Sequence, residues 1–560
     1  MINFKKIIVV LFPLLISTSL AQVTHTISVE YKIKKLPFGL TERIPKPMPS
    51  VALALSGGGA RGLAQIGVLK AIQEAKIPVS LIVGTSMGSI VGGLYSAGYS
   101  INQIDSIAVN TNWDNLLASD RETNRRELFV DQKISEDKAI FSLRLKGLSI
   151  VLPTSLNNGE KLSNYLNILT FQAPIHVDSS FDELRKNFRA VCTNLVSGEP
   201  VVIGSGSLSQ AMRASSSVSF FVSPVKMDSL TLVDGGLVAN IPVKIAKNLG
   251  GQYIIAVNTT STLHSKGELS LPWEIADQVV SIPMQKLNES ELNLANAVIT
   301  PKINNYKIND FVHIKTLILR GYQAALPEMN KIKSQIDSLF RKNFTINNYY
   351  LKNIMLTGNE SDLDKPYVQK YSTKDSVSSY DILDDLYSIY STGNYKNLSA
   401  QVTQYRNYTT VKFLAEKNPV IKKVDLSGIS LISDSLAQSC LAGLIGYPYS
   451  AKKVVANSIS LINLYHNLGY SLAEIEKINF DAETGILYIS VNEGRISAIE
   501  ISGNKNTSRT IITREIPIKT GDYFNYNNIK LGLTNLRSTN IFDDIYFMVK
   551  VVNGNDILVV

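Results

Sequence analysis

From Val51 to about Leu339, short β-branched runs alternate with helix-like stretches, and that alternation constrains the fold more than any other feature of the chain. The runs are "VALALS", "SLIVGTS", "RAVCTNL", "LTLVDGG", "YIIAVNTT" and "DFVHIKTLIL". Such a pattern predicts a largely parallel sheet covered by helices on both faces. The expectation is a single α/β domain over residues 50–342, with each of these runs a strand.

The remainder changes character. Three segments restart alike, "LKNIMLTGN", "IKKVDLSGI" and "ISAIEISGN", with glycines at Gly358, Gly428 and Gly503. Each is followed by a helix-like stretch, then "YSTGNYKNL", "YHNLGYSLAEI" or "LRSTNIFDDI", and each ends in an alternating strand. A period of about 70 to 75 residues marks tandem small domains. Three α+β units of β-α-α-β-β type are expected, over 348–419, 420–494 and 495–560.

Lys5 and Lys6 precede the apolar run Ile7 to Ile16, and Ser19 and Ala21 place small residues before Gln22. This is a signal-peptide pattern over 1–21, too short for a membrane-spanning helix of about 20 apolar residues. Residues 22–49, with Pro37, Pro45, Pro47 and Pro49, read as an extended lead-in. Cys192 and Cys440 are far apart and His25, His176, His264, His313 and His466 are dispersed, so neither a disulfide framework nor a metal site is expected. The net charge of +9 is scattered over 560 residues without a basic stripe, which argues against a nucleic-acid partner. A solvated surface favouring anionic lipid accounts for it.

The glycine loop Gly57-Gly58-Gly59, followed by Arg61 and Gly62, joins an apolar strand to a helix. A dinucleotide fingerprint would need an acidic residue at the end of the second strand. That strand ends instead in Gly84-Thr85-Ser86-Met87-Gly88. A G-x-S-x-G pentapeptide between a strand and a helix puts its serine on a sharp turn with the hydroxyl exposed above the sheet. A serine attacking an ester builds negative charge on the carbonyl oxygen, and Gly57, Gly58 and Gly59 can offer it backbone N–H donors. Arg61 either pins the loop or favours an anionic headgroup.

A serine needs a base. His264 lies in a polar loop, His313 in an apolar run and His466 in the second repeat, and none has catalytic surroundings. Asp234, followed by Gly235 and Gly236, ends a strand in an apolar setting that can raise its pKa towards that of a useful base. A plain Asp-Gly-Gly turn is the competing reading.

Gly57 to Gly62, Gly84 to Gly88 and Asp234 to Gly236 occur in the order that resembles patatin-like phospholipases. The stretches "LPTSLNNGEKL", "VCTNLVSGEPVVIGSGSLSQAMRASSSV" and "NIPVKIAKNLGG" share the resemblance. It implies a Ser-Asp dyad, with Ser86 as nucleophile, Asp234 as base, the glycine loop as oxyanion hole, and no cofactor or metal. One departure is "SSSVSFFVSPV", where Ser219 and Ser223 stand at positions at which the family commonly has proline. The three repeats resemble POTRA domains, the periplasmic modules that precede outer-membrane β-barrels.

The expected protein is thus an exported lipid acyl hydrolase of phospholipase A or lysophospholipase type, acting on phospholipid or other acyl-lipid at a membrane surface. The alternative is a translocation component whose repeats bind polypeptides along exposed strand edges. Because the third unit ends on "DILVV", the chain is expected either to continue into an outer-membrane barrel or to dock onto one encoded separately.

Overall fold

The structure is a computed structural model that describes residues 23–46, 48–117, 144–146, 149–151, 159–177, 180–218, 221–261, 263, 269, 272–343, 350–352, 354–356, 376–405, 408–504, 507–539, 541–542, 545, 547–552 and 555–560. The signal-peptide pattern, His264, Ser219 and Gly358 lie outside the described residues.

The α/β domain is built on an eight-stranded sheet: β1 (Val51–Leu55), β2 (Val79–Thr85), β3 (Asn187–Asn194), β4 (Pro200–Ile203), β5 (Val225–Met227), β6 (Leu230–Asp234), β7 (Tyr253–Val257) and β8 (Ala297–Ile299). Five of these, in the order β3-β2-β1-β7-β8, are parallel. The additions β4, β6 and β5 are antiparallel. The sheet is therefore mostly parallel, with an antiparallel flank at the β3 end.

Strand alternation explains why helices cover both faces. Val51, Leu53 and Leu55 enter one core with Ile66, Leu69, Val91 and Leu94, while Ala52 and Ala54 enter another with Val243, Ala246 and Ile254. Successive strand residues point to opposite faces, so a run buried throughout needs cover on both. On one side lie helices α1 (Ala64–Glu74) and α2 (Met87–Ser96); on the other lies the helix Val243–Asn248.

One expected strand is a helix. "DFVHIKTLIL" folds as a loop to His313 and then as the helix Ile314–Ala325. Ile314, Leu317, Ile318, Gly321 and Ala325 are its buried residues, a three-to-four-residue spacing that overrides the β-branched composition. Residues 31–45 likewise form more than a lead-in, pairing Tyr31–Lys35 with Thr41–Pro45 as a hairpin.

The second and third repeats share one topology. In the second, Lys423–Ser427 runs parallel to Ile486–Asn492, which pairs antiparallel with Glu474–Asp481, beneath helices Asp434–Leu441 and Ala451–Asn467. In the third, Ile496–Glu500, Asn555–Val559 and Met548–Val552 repeat that arrangement with helices Arg509–Glu515 and Tyr526–Ser538. The chain divides into two compact units, the α/β domain and these two repeats falling in the larger.

The smaller unit joins residues up to Tyr31 with 345–418. Its sheet runs Val23–Ser28, Tyr395–Gln404, Thr409–Lys417, Ile354–Leu356, with the helix Ser379–Tyr390 burying Ile382, Leu383, Leu386 and Ile389. The segment read as a lead-in thus supplies the outermost strand of the first repeat's sheet. No described helix is long and apolar enough to cross a membrane.

Candidate active site

The site forms where two strands meet end to end. One edge of β3 is taken by β4. On its other edge β2 pairs as far as Thr85 opposite Val191, and β6 takes over with Asp234 opposite Cys192. Ser86 follows Thr85 directly, so the serine and the aspartate emerge at one point of the sheet.

Ser86 has φ 52° and ψ −125°, a strained backbone for a residue with a side chain, and it caps α2 at its N-terminus. The elbow fits because Gly84 and Gly88 leave no room for side chains: a Cβ on Gly88 would collide with Leu55 O, and one on Gly84 with the Gly88 carbonyl. Its geometry is held by Ser86 N–H donating to Ser215 Oγ at 3.0 Å, Ser215 Oγ donating to Val191 O at 2.6 Å, and Ser89 Oγ donating to Ser86 O at 2.7 Å. Ser86 is 7% exposed, reachable but largely enclosed.

Asp234 is also buried. Its Oδ1 accepts from Gly236 N–H at 2.7 Å, its N–H donates to Ser217 O at 2.9 Å, and its carbonyl accepts from Thr193 Oγ1 at 2.8 Å. Oδ2 is buried and accepts no hydrogen bond of normal geometry. Burial pushes the carboxyl up to about 6, against the opposing pull of the Ser86 hydroxyl and the Gly236 N–H.

The glycine loop lies against the serine, since a Cβ on Gly57 would stand 3.1 Å from Ser86 Cβ and would collide with Asn240 Oδ1. The expectation for Gly57 as a donor is corrected here. Its N–H is already engaged by Asn240, at 3.1 Å to both the carbonyl and Oδ1. Ala60 N–H is spent on Ile308 O at 2.7 Å. Among the described residues no acceptor meets the N–H of Gly58 or Gly59. Gly59 has φ 55°, and Gly62 lies where a Cβ would meet Met87.

Arg61 is buried and its guanidinium donates to Thr260 O at 2.6 Å, so it ties the loop to the residues after β7. Burial lowers its pKa. Gly235 faces Val191 O and Gly236 faces Asp234 Oδ1, both too close for a side chain.

Of the three histidines weighed as bases, His264 lies outside the described residues and the other two are engaged elsewhere. His313 is half exposed and paired with Asp310 at 2.8 Å. His466 is held between Gln172 O and Ala473 O, and burial pushes it down to about 4. Sequence reasoning passed over Ser215 and Asn240 as site residues, although both lie in stretches that carry the resemblance. Among the described residues no cluster of His, Cys, Asp or Glu could hold a metal ion.

Comparison with known proteins agrees with this architecture. The patatin-like phospholipase family model matches residues 53–247, and the POTRA model, described as a surface antigen variable number repeat, matches 495–560. Patatin-like phospholipase domain-containing protein 7 of Rattus norvegicus is 30% identical over 214 residues, 38% of this chain and 14% of that protein. Patatin-like phospholipase domain-containing protein 6 of Homo sapiens is 32% identical over 216 residues, 38% of this chain and 13% of that protein. Lysophospholipase NTE1 of Scheffersomyces stipitis is 30% identical over 213 residues, 38% of this chain and 12% of that protein. The matched stretch is thus a small part of each relative. Among solved structures, the N-terminal domain of Omp85 from Thermosynechococcus elongatus matches at TM-score 0.33 and 18% identity, over 38% of this chain and 97% of that one. The chain carries a patatin-like phospholipase domain over residues 53–247 followed by a POTRA domain over 495–560.

Proposed function

We propose that the chain is a serine lipid acyl hydrolase working through a Ser86–Asp234 dyad. The observation that carries this reading is a strained serine beside a buried aspartate whose Oδ2 is unoccupied and whose pKa stands at about 6. Asp234 takes the Ser86 proton as Oγ attacks the ester carbonyl, giving a tetrahedral oxyanion. Gly58 and Gly59 N–H groups receive that charge, each such donor contributing on the order of 3 kcal/mol to the transition state. Collapse releases the alcohol, which takes the proton from Asp234, and leaves an acyl-enzyme. Water activated by Asp234 then frees the fatty acid. Among the described residues His313 and His466 are engaged elsewhere, and the carboxylate serves as the base.

The substrate class is phospholipid or lysophospholipid, supported by the names of the matched relatives. The finer assignment is an exported protein at the outer membrane, its domains bounded as expected from the sequence and its repeats placed beside a β-barrel within the same polypeptide or encoded separately. This rests on the POTRA match at residues 495–560 and on the N-terminal sequence pattern.

The test is fatty-acid release from defined phospholipids by purified chain, wild type beside Ser86→Ala. Release by the wild type alone is expected; equal release by both overturns the assignment. The competing reading, a polypeptide-binding translocation component, predicts that Ser86→Ala leaves the cellular role intact.

A further inference from the structure

Beside the nucleophile elbow, three helices turn apolar faces to one another and leave a void between them. Met87, Ile90 and Leu94 recur along α2 at three- and four-residue spacing, so they line one face of it. Ile104, Ile107 and Ala108 do the same on the helix Ile101–Asn110, as do Leu162, Leu166 and Leu169 on the helix Glu160–Phe171. Trp113 closes one side, stacked on Phe311 at 4.7 Å and donating Nε1–H to Ala108 O at 2.8 Å. The void is about 20 Å³ and its walls are apolar.

One end of the void lies at the dyad. Leu63 and Met87 line it there, and a Cβ on Gly62 would stand 2.6 Å from Met87 Cβ, so the glycine loop and the elbow touch at this point. The third helix starts at the same end. Gly159 O, at its N-cap, accepts from Arg213 Nε at 3.2 Å, Arg213 Nη1 donates to Ser217 Oγ at 2.5 Å, and Ser217 O accepts the Asp234 N–H. The far end is closed. Tyr99 N–H donates to Leu94 O at 3.3 Å and its hydroxyl to Leu169 O at 2.7 Å, just before Ser100 caps the helix that carries Ile104. Seven residues of α2 separate Met87 from Leu94, a depth of about 10 Å.

We propose that this void seats the substrate's acyl chain, which enters between Leu63 and Met87 as the ester carbonyl meets Ser86, and that Leu94, with Ile104 and Leu169, sets the chain's length. The inference rests on the reading of Ser86 as nucleophile. An unfilled apolar void stays dry and its walls lack dispersion partners, which an entering hydrocarbon supplies. Met87, unbranched and adaptable, gives way at the entrance. A slot about 10 Å deep is shorter than an extended palmitoyl chain, so medium-length chains fit best and longer ones are stopped at Leu94.

Binding and turnover by the full chain test it together. Trp113 and Trp273 are the two tryptophans of the sequence, so in Trp273→Phe protein Trp113 reports alone from the wall of the void. Bromine-labelled decanoate, below its micelle concentration, should quench that emission saturably and more tightly than bromine-labelled palmitate. Ala108→Leu should weaken decanoate binding about tenfold, because the added carbons occupy the chain's place. Leu94→Ala should shift the preference towards palmitate by about tenfold, a gain that misfolding cannot mimic. The ratio of kcat/KM for palmitoyl over decanoyl lysophospholipid should move the same way. Absence of saturable quenching, or an unchanged chain preference in Leu94→Ala, overturns the acyl seat. Intact quenching without any ester hydrolysis by the wild type overturns the reading of Ser86 and leaves the seat standing.

Discussion

Thr85 and Asp234 occupy successive positions along one edge of the strand Asn187–Asn194, Thr85 opposite Val191 and Asp234 opposite Cys192. The two strands approach from opposite directions and stop, so their ends present Ser86 and Asp234 to one another. A residue rise of about 3.3 Å separates adjacent positions on β3, which puts the side chains of Ser86 and Asp234 within reach of one another by sheet register alone. The same arrangement places Asp234 beside Cys192, whose thiol is pushed well above its ordinary value by burial and then by the aspartate.

The raised pKa of Asp234 has two consequences of opposite sign. As a base it must be ionised, so kcat/KM should fall below pH ~6 with a single acid limb, and Asp234→Asn should lower turnover by several orders of magnitude. For stability, the folded carboxyl binds its proton more tightly than the unfolded one, so stability falls as pH rises from about 4 to about 6. Asp234→Asn should therefore stabilise the fold at pH 7, by up to about 3 kcal/mol for a shift near two pKa units. Denaturant unfolding beside a pH–rate profile reads both. A variant that is less active and also less stable at pH 7 contradicts the assignment.

Asn240 fixes the glycine loop through Gly57, and it sits a turn after Asp-Gly-Gly. Removing its side chain loosens the loop without touching Ser86. Asn240→Ala should lower kcat about 10- to 100-fold with KM nearly unchanged, because the oxyanion donors act in the transition state. An increase confined to KM would mean that Asn240 contacts the bound substrate instead. His313→Ala, by contrast, should leave turnover unchanged, since that ring faces Asp310 at the surface.

Much of this site was legible because its determinants are local. Glycines that admit a sharp turn and apolar runs that need cover on both faces are properties of short stretches, so the elbow, the sheet class and the buried strand-end place of Asp234 could be read directly. Asn240 and Ser215 could not, since their roles exist only once residues more than a hundred positions away arrive beside them. "DFVHIKTLIL" was misread because its composition favours strands while its burial follows helical spacing. Arg61 stood open between two roles; its bond to Thr260 O, a residue some two hundred positions away, ties the glycine loop and could not be read from the local sequence.

Glu493 holds Ser430, whose hydroxyl links the second repeat to the third. Its Oε1 accepts from Ser430 N–H, Leu431 N–H and Tyr465 O–H, each at 2.8 Å, and Ser430 Oγ also meets Tyr523 O–H of the third repeat at 2.7 Å. Burial would raise this carboxyl, but the bonds from Leu431 and Ser430 outweigh it and hold it below its ordinary value. A depressed carboxyl contributes stability above the unfolded pKa of 4.5, lost as pH falls through the folded value. Glu493→Gln should cost about 2–3 kcal/mol at pH 7 and flatten the acid limb of unfolding. An unchanged pH dependence would show that the bonds do not discriminate the charged form.

The strand Val23–Ser28 pairs along its whole length with Tyr395–Gln404, from Val23 opposite Gln404 to Ser28 opposite Ser399. It is the outermost strand of the first repeat's sheet, and Ile27 is its buried contribution. Without it, Tyr395–Gln404 becomes a sheet edge with a row of unpaired N–H and C=O groups, a template for pairing with other chains. Deleting residues 23–28 should therefore destabilise the first repeat selectively, raising amide exchange in Tyr395–Gln404 while the exchange of β1 and β2 in the α/β domain stays as it was. Ile27→Asp should do the same more mildly, since it removes one buried contact and leaves the ladder donors in place. Self-association of the deletion, reversed by adding a synthetic peptide of residues 23–28, would follow from the same exposed edge. Unaltered exchange in Tyr395–Gln404 after the deletion would mean that the pairing contributes nothing to the stability of the first repeat.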